Sequence, residues 1–268
     1  MYHLAEMAHP LDSARERLNR ADENIRSLKA QVTKFLAPFP RAKFRGKKAI
    51  WREGDREAYE VLRKQALSGT ELPRFSILAG EIIHHLRCAF DHVIWQLSTP
   101  EARKKFPNDI EFPVNDSPPG PCKWRDREQK VKHSSYCRKV KGVASVTALA
   151  RIDDLQPYKR TDNSPLLLIH DLDRFDKHRE LVVVIPSVAA HATAEAFQSF
   201  RTVNHPASGG VQLLGPARPP TVKVYADLFA QVAFAEFGLR QSQPLVELLE
   251  ELAHFASDSI ESFAGEFV

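Results

Sequence analysis

Residues 81–95 concentrate side chains that can carry protons or bind anions on one short stretch, which reads EIIHHLRCAFDHVIW. At about 100° per residue, its three histidines share one side of a helix with Cys88 and Trp95. Arg87 and Asp91 lie beside that side. Histidine changes its charge near neutral pH and is the side chain most often used for acid–base catalysis. We therefore expect a functional site on this helix.

Arg87 and His92 form an Arg-x4-His pair that suits metal-free cleavage of RNA. A histidine can act as general acid or base at the 2′-hydroxyl and the leaving oxygen, while a guanidinium binds the scissile phosphate. The pair predicts His92 as the acid or base, Arg87 as the phosphate-binding group and Asp91 as the residue that orients the imidazole. In the structural alternative, Arg87 only pairs with Asp91 one helical turn later.

A second basic cluster precedes a β-branched run at residues 181–185. We predict that it contacts the RNA backbone, through Arg174, Lys177, His178 and Arg179. Cations at the end of a helix are also favoured by the helix dipole, which leaves a purely structural explanation open.

Two Glu-x-x-His pairs support a rival hypothesis of a metal site. Di-iron helical bundles use this spacing, and the chain offers it in Glu81 with His84 and in Glu251 with His254. Such bundles also need a glutamate on each of two further helices, for which no pattern is present. We expect no metal and no cofactor, with these four residues as the alternative.

Charge divides unevenly along the chain. The net charge is +4, and residues 181–268 hold 4 basic and 9 acidic side chains, so residues 1–180 carry +9 against −5. Any surface that binds a polyanion is therefore expected in the first two thirds. Residues 40–52 are basic and include Phe44 and Trp51, a composition typical of single-stranded RNA binding. Alternatively, this segment is a connector whose aromatic rings enter the core.

Apolar spacing predicts the elements that position these residues. A narrow helical seam runs from Leu11 to Phe35 and must end before the prolines that follow Ala37. The other long patterns predict helices over residues 55–65, 74–97, 141–155, 165–178 and 245–263, with an irregular segment over 100–136.

The period changes after residue 180. Runs rich in β-branched and aromatic residues predict strands near residues 181–185, 193–203, 210–214 and 221–237. The expected fold class is α+β, a helical bundle with an appended small antiparallel β-sheet and a C-terminal helix. We expect a basic helical-bundle domain over residues 1–180, with residues 181–268 forming the sheet and a helix packed on the bundle.

Composition excludes several classes of protein. No apolar run is long enough to span a membrane, and the N-terminus lacks the pattern of a secretory signal, so we expect a cytoplasmic protein. The three cysteines, Cys88, Cys122 and Cys137, have no Cys-x-x-Cys spacing. We expect reduced thiols rather than a disulfide framework or a thiolate zinc site.

Five ordered segments resemble a widespread family of uncharacterised bacterial proteins. They read RERLNRADENIRSLKAQVTKFL, GEIIHHLRCAFDHVIWQLS, FPV, IDDLQPY and PLLLIHDLDRFDKHRELVVV. The resemblance covers about Leu11 to Val184 and centres on two patterns, LRCAFDH at 86–92 and DKHR at 176–179. It implies relatives but no activity.

A more distant similarity links the chain to the HEPN superfamily of helical bundles, through the spacing of Arg87 and His92. It implies a metal-independent endoribonuclease of a toxin–antitoxin or phage-defence system. It also implies a homodimer and an antitoxin or defence partner. The chain departs from the HEPN motif at Cys88, where a polar residue is usual. Two alternatives remain: a non-catalytic helical module that binds a nucleotide or partner, and a metal-dependent helical-bundle enzyme.

Overall fold

The computed structural model describes residues 9–40, 42–45, 48–50, 52–119, 135–160, 164–178, 183–184, 189–192, 201–204, 211–214, 226–229, 232–234 and 243–267. These residues are mostly helical, which confirms the helical component of the predicted fold. No helix among them is both long enough and apolar enough to cross a lipid bilayer.

Within the described ranges, eight α-helices follow one another in sequence. They are α1 (Asp12–Leu36), α2 (Asp55–Ser68), α3 (Glu71–Leu97), α4 (Pro100–Lys105), α5 (Ser135–Val140), α6 (Val146–Asp154), α7 (Pro165–His178) and α8 (Leu245–Glu261). Short 3-10 helices lie at Pro107–Asp109, Pro157–Lys159 and Ala264–Phe267.

Several helix ends follow directly from local chemistry. Helix α1 stops at Leu36, just before Pro38, as its sequence predicts. Helix α7 begins at Pro165, and the Ser164 hydroxyl accepts a hydrogen bond from the Leu167 N–H at 3.4 Å. This confirms the predicted N-cap and first-position proline.

Two predicted elements between the long helices are confirmed only in part. The expected helix over 141–155 begins only at Val146, and the expected irregular segment after residue 100 contains α4 and a 3-10 helix. Ser145 accounts for the first difference, because it caps α6 and its hydroxyl accepts a hydrogen bond from the Ala148 N–H at 3.1 Å.

Gly142 lies three residues before this cap. A Cβ placed there would come within 2.8 Å of the Ser98 hydroxyl oxygen, so this position needs glycine and close backbone approach. The Gly142 carbonyl accepts from the Thr99 N–H at 2.9 Å.

The part of the chain that the structure describes also contains eight short strands, which pair in antiparallel fashion. They are β1 (Ala42–Arg45), β2 (Lys48–Ile50), β3 (Val183–Val184), β4 (Ala189–Ala192), β5 (Arg201–Asn204), β6 (Val211–Leu214), β7 (Ala226–Phe229) and β8 (Ala233–Phe234). The pairings give the order β2-β1-β7-β4, with β3 beside β8 and β5 beside β6. These strands of two to four residues do not establish the appended sheet as a domain, which stays a prediction.

The basic segment 40–52 contains the paired strands β1 and β2, and both interpretations of it, as an RNA-binding segment and as a connector, stay predictions. Its backbone forms a hairpin in which Phe44 lies opposite Ala49. Strand β1 also pairs with β7, with Lys43 opposite Asp227. Strand β1, from the first half of the chain, and strand β7, from the second half, are therefore hydrogen-bonded neighbours in one sheet.

The chain divides into two compact units, each assembled from separated segments. The first unit comprises Met1–Arg26, Leu78–Glu180 and Leu249–Val268, and the second comprises Ser27–Ile77 and Leu181–Leu248. One boundary coincides with the predicted division at residue 180. The others fall within α1, α3 and α8, so the units do not follow a simple division into 1–180 and 181–268.

The first unit has an apolar core around α3. The Phe90 ring lies 5.0 Å from the ring of Phe112 and 6.2 Å from that of Phe255, centroid to centroid. The α1 seam predicted from sequence is buried, and so are the matching positions of α3 and α8. The buried residues of the unit include Leu11, Ala14, Leu18, Ala21, Ile82, Leu86, Phe90, Val93, Leu252, Ala256 and Ile260.

The second unit has its own aromatic cluster. Phe35 packs edge-on against Phe75 at 5.3 Å, and Phe39 packs against Tyr59 at 5.7 Å, between ring centroids. Burial raises the pKa of Tyr59 to about 12, because an ionised phenolate would be poorly solvated there.

Phe90→Ala should lower the free energy of unfolding by about 3–5 kcal/mol, because it leaves a cavity where three aromatic rings meet. Ile77→Ala is the matched control on the same helix, because Ile77 is 58% exposed. The control should change stability by about 0.5 kcal/mol or less. Urea denaturation followed by circular dichroism measures both. Equal losses in the two variants would contradict the assigned core.

Candidate functional site

Arg87, the arginine of the predicted motif, is buried with 4% of its surface exposed. Its Nη2 donates to the Phe112 carbonyl at 2.8 Å. Its Nη1 lies 2.7 Å from Asp91 Oδ1, a contact of opposite charges whose angles do not make a hydrogen bond. The guanidinium is thus held between α3 and residues 110–113.

Asp91 also contacts the main chain of Phe112, at its N–H group. Its Oδ1 accepts a hydrogen bond from the Phe112 N–H at 2.8 Å. Burial raises the pKa of Asp91, and the Arg87 charge and the Phe112 N–H oppose that rise. Arg87 and Asp91 together satisfy both polar groups of the Phe112 main chain.

This geometry corrects two sequence-based assignments. Arg87 is too deeply buried, at 4% exposure, to bind a phosphate from solvent, and Asp91 is engaged by Phe112 and Arg87 instead of orienting His92. The structural alternative is favoured, although the pair is buried rather than on a helix surface. Arg87 is buried and Asp91 is partly buried because residues 110–113, which lie some twenty residues further along the chain, cover this part of α3.

His92 is half-buried on α3. Burial lowers its pKa, the Arg17 charge lowers it further, and Asp91 acts in the opposite direction. A neutral imidazole at neutral pH is the form that accepts a proton. This state is compatible with the predicted role of His92 as a general acid or base, which stays a prediction.

Arg17, on α1, is a functional candidate that the sequence analysis missed. Its Nη1 lies 3.4 Å from His85 Nδ1, and because a guanidinium can only donate, Nδ1 is the acceptor. Burial lowers the pKa of His85, with Arg17 as the next cause. Arg17 lies one position before Leu18 of the apolar seam, and nothing in its local pattern marks it.

His84 is held by a buried carboxylate. Its Nδ1 lies 3.1 Å from Asp173 Oδ1, and Asp173, on α7, is only 4% exposed. The other oxygen of Asp173 lies 2.6 Å from Lys177 Nζ. Sequence analysis named Lys177 but missed Asp173, whose only signal is its i,i+4 spacing to that lysine.

Cys88 completes a row of three groups. Its Sγ lies 3.4 Å from His84 Nε2, one helical turn away on α3. Burial raises the pKa of the Cys88 thiol, and the Asp91 and Asp173 charges act in the same direction, whereas Arg17 and Lys177 lower it. We call His84, His85, Cys88 and His92, with Arg17, Asp173 and Lys177, the histidine face.

The predicted RNA-backbone residues lie along α7. Arg174 is exposed and pairs with Asp171 at 3.2 Å, and His178 is the exposed last residue of the helix. Arg179 lies outside the described residues. Lys177 and Arg174 are thus each paired with an acidic side chain on their own helix.

His170 lies on α7, near the buried Arg87 and two further cations. Burial lowers its pKa to about 4, and the charges of Arg87, Lys139 and Arg174 act in the same direction. Its imidazole is therefore neutral under physiological conditions.

The residues of the alternative metal site do not come together. His84 pairs with Asp173, while His254 lies 3.4 Å from Asp258 with 82% of its side chain exposed. Among the residues that the structure describes, no three histidine, cysteine, aspartate or glutamate side chains are placed to hold a metal ion.

The cysteines differ from expectation in one respect. Cys137 is disulfide-bonded, so the expectation of three reduced thiols was wrong. Cys88 is a free thiol.

A comparison of the chain with protein-family models, curated proteins and solved structures finds no match. Functional conclusions therefore depend on the geometry of the site.

Arg87→Met should lower the free energy of unfolding by about 3 kcal/mol, because it leaves the partly buried Asp91 carboxylate and the Phe112 carbonyl without their partner. Arg74→Met is the control, because Arg74 lies on the same helix with 63% of its side chain exposed, 3.7 Å from Glu71. The control should cost about 0.5 kcal/mol or less. Chemical denaturation measures both, and equal values would rule out the structural assignment of Arg87.

His170→Gln should reduce the loss of unfolding free energy that the protein shows as the pH falls. The pKa of His170 is about 4 in the folded protein, and about 6.5 is usual for an unfolded chain. As the pH falls from about 6.5 to about 4, the unfolded state therefore gains a proton that the folded state does not, and stability is lost. Urea midpoints of both proteins at a series of pH values test this. Parallel curves would show that His170 is not the group responsible.

Proposed function

We propose that this protein is a HEPN-like, metal-independent endoribonuclease whose reaction takes place on the histidine face. The observation that supports this most is the position of Arg17. Its charge lies beside two half-buried histidines, His85 and His92, and lowers the pKa of both. An arginine and a neutral imidazole at one surface are the groups that RNA transesterification needs.

His92 serves as the general base in this proposal. Since burial and Arg17 disfavour its cation, the imidazole is neutral at physiological pH and can take the proton of a ribose 2′-hydroxyl. The oxygen then attacks the adjacent phosphorus and expels the 5′-oxygen of the next nucleotide. The products are a 2′,3′-cyclic phosphate and a 5′-hydroxyl.

Arg17 takes the phosphate-binding role that the sequence assigned to Arg87. A guanidinium carries five N–H donors, and the contact with His85 uses one of them at the long distance of 3.4 Å. With Nδ1 of His85 as an acceptor, the proton of the neutral ring lies on Nε2. That N–H is a second donor for the phosphate or the leaving oxygen. His85 and His92 are two turns apart, roughly 10 Å along the helix axis, and lie on the same side of α3.

The remaining parts of the proposal come from the sequence. Lys177, Arg174, His178 and Arg179 would contact the RNA backbone, and the resemblance to HEPN proteins implies a homodimer with an antitoxin or defence partner. A cytoplasmic location and an appended antiparallel sheet belong to the same set of proposals. No membrane-spanning helix is found in the part of the chain that the structure describes.

The test is single-turnover cleavage of an end-labelled RNA oligonucleotide in EDTA. His92→Ala should lower the rate by about 10²–10⁴-fold, the usual contribution of general acid–base catalysis. The matched control is His254→Ala, because His254 lies on α8 with 82% of its side chain exposed. The control should cleave at the wild-type rate.

The DNA oligonucleotide of the same sequence should remain intact, because it lacks the attacking hydroxyl. Cleavage that needs a divalent ion would refute the proposal. RNA binding by wild-type protein without cleavage would favour a non-catalytic binding module instead.

The rate should also depend on pH in a way that identifies Arg17. Because the pKa of His92 is lowered, cleavage should fall off only below pH 6.5, as the base becomes protonated. Arg17→Gln removes a positive charge that opposes protonation, so the acid limb should move to higher pH while the maximal rate falls. A profile of kcat/KM against pH measures the shift, and an unmoved limb would exclude Arg17 as the neighbour of the base.

A further inference from the structure

We propose that Cys88, His84 and Asp173 form a second site, in which the Cys88 thiol attacks activated acyl esters or thioesters. The three groups lie in the order nucleophile, base and orienting carboxylate. The Cys88 Sγ is 3.4 Å from His84 Nε2, and His84 Nδ1 is 3.1 Å from Asp173 Oδ1. This is the arrangement by which a thiol or hydroxyl is activated in nucleophilic catalysis.

The two nitrogens of His84 are assigned by their neighbours. A buried carboxylate accepts a hydrogen bond, so Nδ1 carries the proton and Nε2 carries the lone pair. The Cys88 sulfur is 4.0 Å from Nδ1 as well as 3.4 Å from Nε2, so it lies over the ring, and the thiol must turn toward that lone pair to pass its proton. Cys88 and His84 are one turn apart on α3, which keeps sulfur and imidazole together without help from a loop. Asp173 is fixed in turn by Lys177 at 2.6 Å.

The site is also accessible. The His84 side chain is 48% exposed, and Cys88 is a half-buried free thiol. A reagent can therefore reach the sulfur from solvent, while the carboxylate behind the imidazole is excluded from it.

Charged groups from three helices surround the pair. Arg17 on α1 and Lys177 on α7 bring positive charge to Cys88, and Asp91 and Asp173 bring negative charge. His84 faces Asp176 and His85 in addition. The two cations can offset the negative charge that develops on an acyl oxygen during attack, and they favour acyl donors with an anionic leaving group.

The reaction balances as an acyl transfer. The thiol proton passes to His84 Nε2 while sulfur bonds to the acyl carbon. The bond to the leaving alkoxide or thiolate breaks, and the imidazolium returns its proton to that group. The product is an acyl thioester on Cys88, which water hydrolyses by the same route to regenerate the thiol.

This chemistry does not depend on the proposed cleavage of RNA. Arg17 brings charge to both reactions, but the residues that carry the acyl transfer, Cys88, His84 and Asp173, differ from the His92 and His85 assigned to RNA cleavage. RNA cleavage and acylation are therefore measured on the same preparations, and either can fail alone.

The experiment uses p-nitrophenyl acetate as the acyl donor with the full-length protein. Wild-type protein should release one equivalent of nitrophenolate in a burst and gain the mass of one acetyl group on the peptide that contains Cys88. Cys88→Ser should abolish the thioester. His84→Asn should slow acylation roughly a hundredfold, in line with the loss of a general base.

Asp173→Asn tests the positioning role, with circular dichroism to confirm folding, because Asp173 is buried. It should slow acylation while leaving the thiol in place, and His254→Ala should match wild type. A rate that rises only as the thiol itself ionises, and that is equal in wild type and His84→Asn, would overturn the proposal.

Discussion

The burial of Arg87 is the constraint on which the first unit depends. A guanidinium that is 4% exposed must be matched by acceptors inside the protein, because an uncompensated buried charge is strongly destabilising. The Phe112 carbonyl and the Asp91 carboxylate meet that requirement and fix residues 110–113 against α3. Phe112 is thereby placed against Phe90, so the charged contact and the aromatic core position each other.

Because of this constraint, the two sides of α3 have different roles. The side with Arg87 and Asp91 holds residues 110–113 in place, and the buried guanidinium there is closed to a ligand from solvent. The histidine face is partly exposed and receives charges from two other helices, Arg17 from α1 and Asp173 with Lys177 from α7. The arginine of the apparent motif stabilises the fold, while an arginine from another helix faces the histidines.

Local signals in the sequence predicted the helices well, but they predicted the contacts between distant residues poorly. The seam of α1, its end before Pro38 and the start of α7 at Ser164 and Pro165 follow from spacing and backbone chemistry, and the structure confirms them. The burial of Arg87 depends on a segment some twenty residues away, and the close approach of Gly142 to Ser98 likewise joins residues far apart in the sequence. Arg17 and Asp173 reach the site from separate helices, so no spacing within one helix could reveal them.

The central claim is that the histidine face cleaves RNA through the 2′-hydroxyl, without a metal ion. Mass spectrometry of the fragments that wild-type protein makes in EDTA tests it most directly, because the termini record which atom attacked. The account predicts a 2′,3′-cyclic phosphate on each upstream fragment and a 5′-hydroxyl on each downstream one. Fragments with a 5′-phosphate and a free 3′-hydroxyl would contradict it, because water would then be the nucleophile.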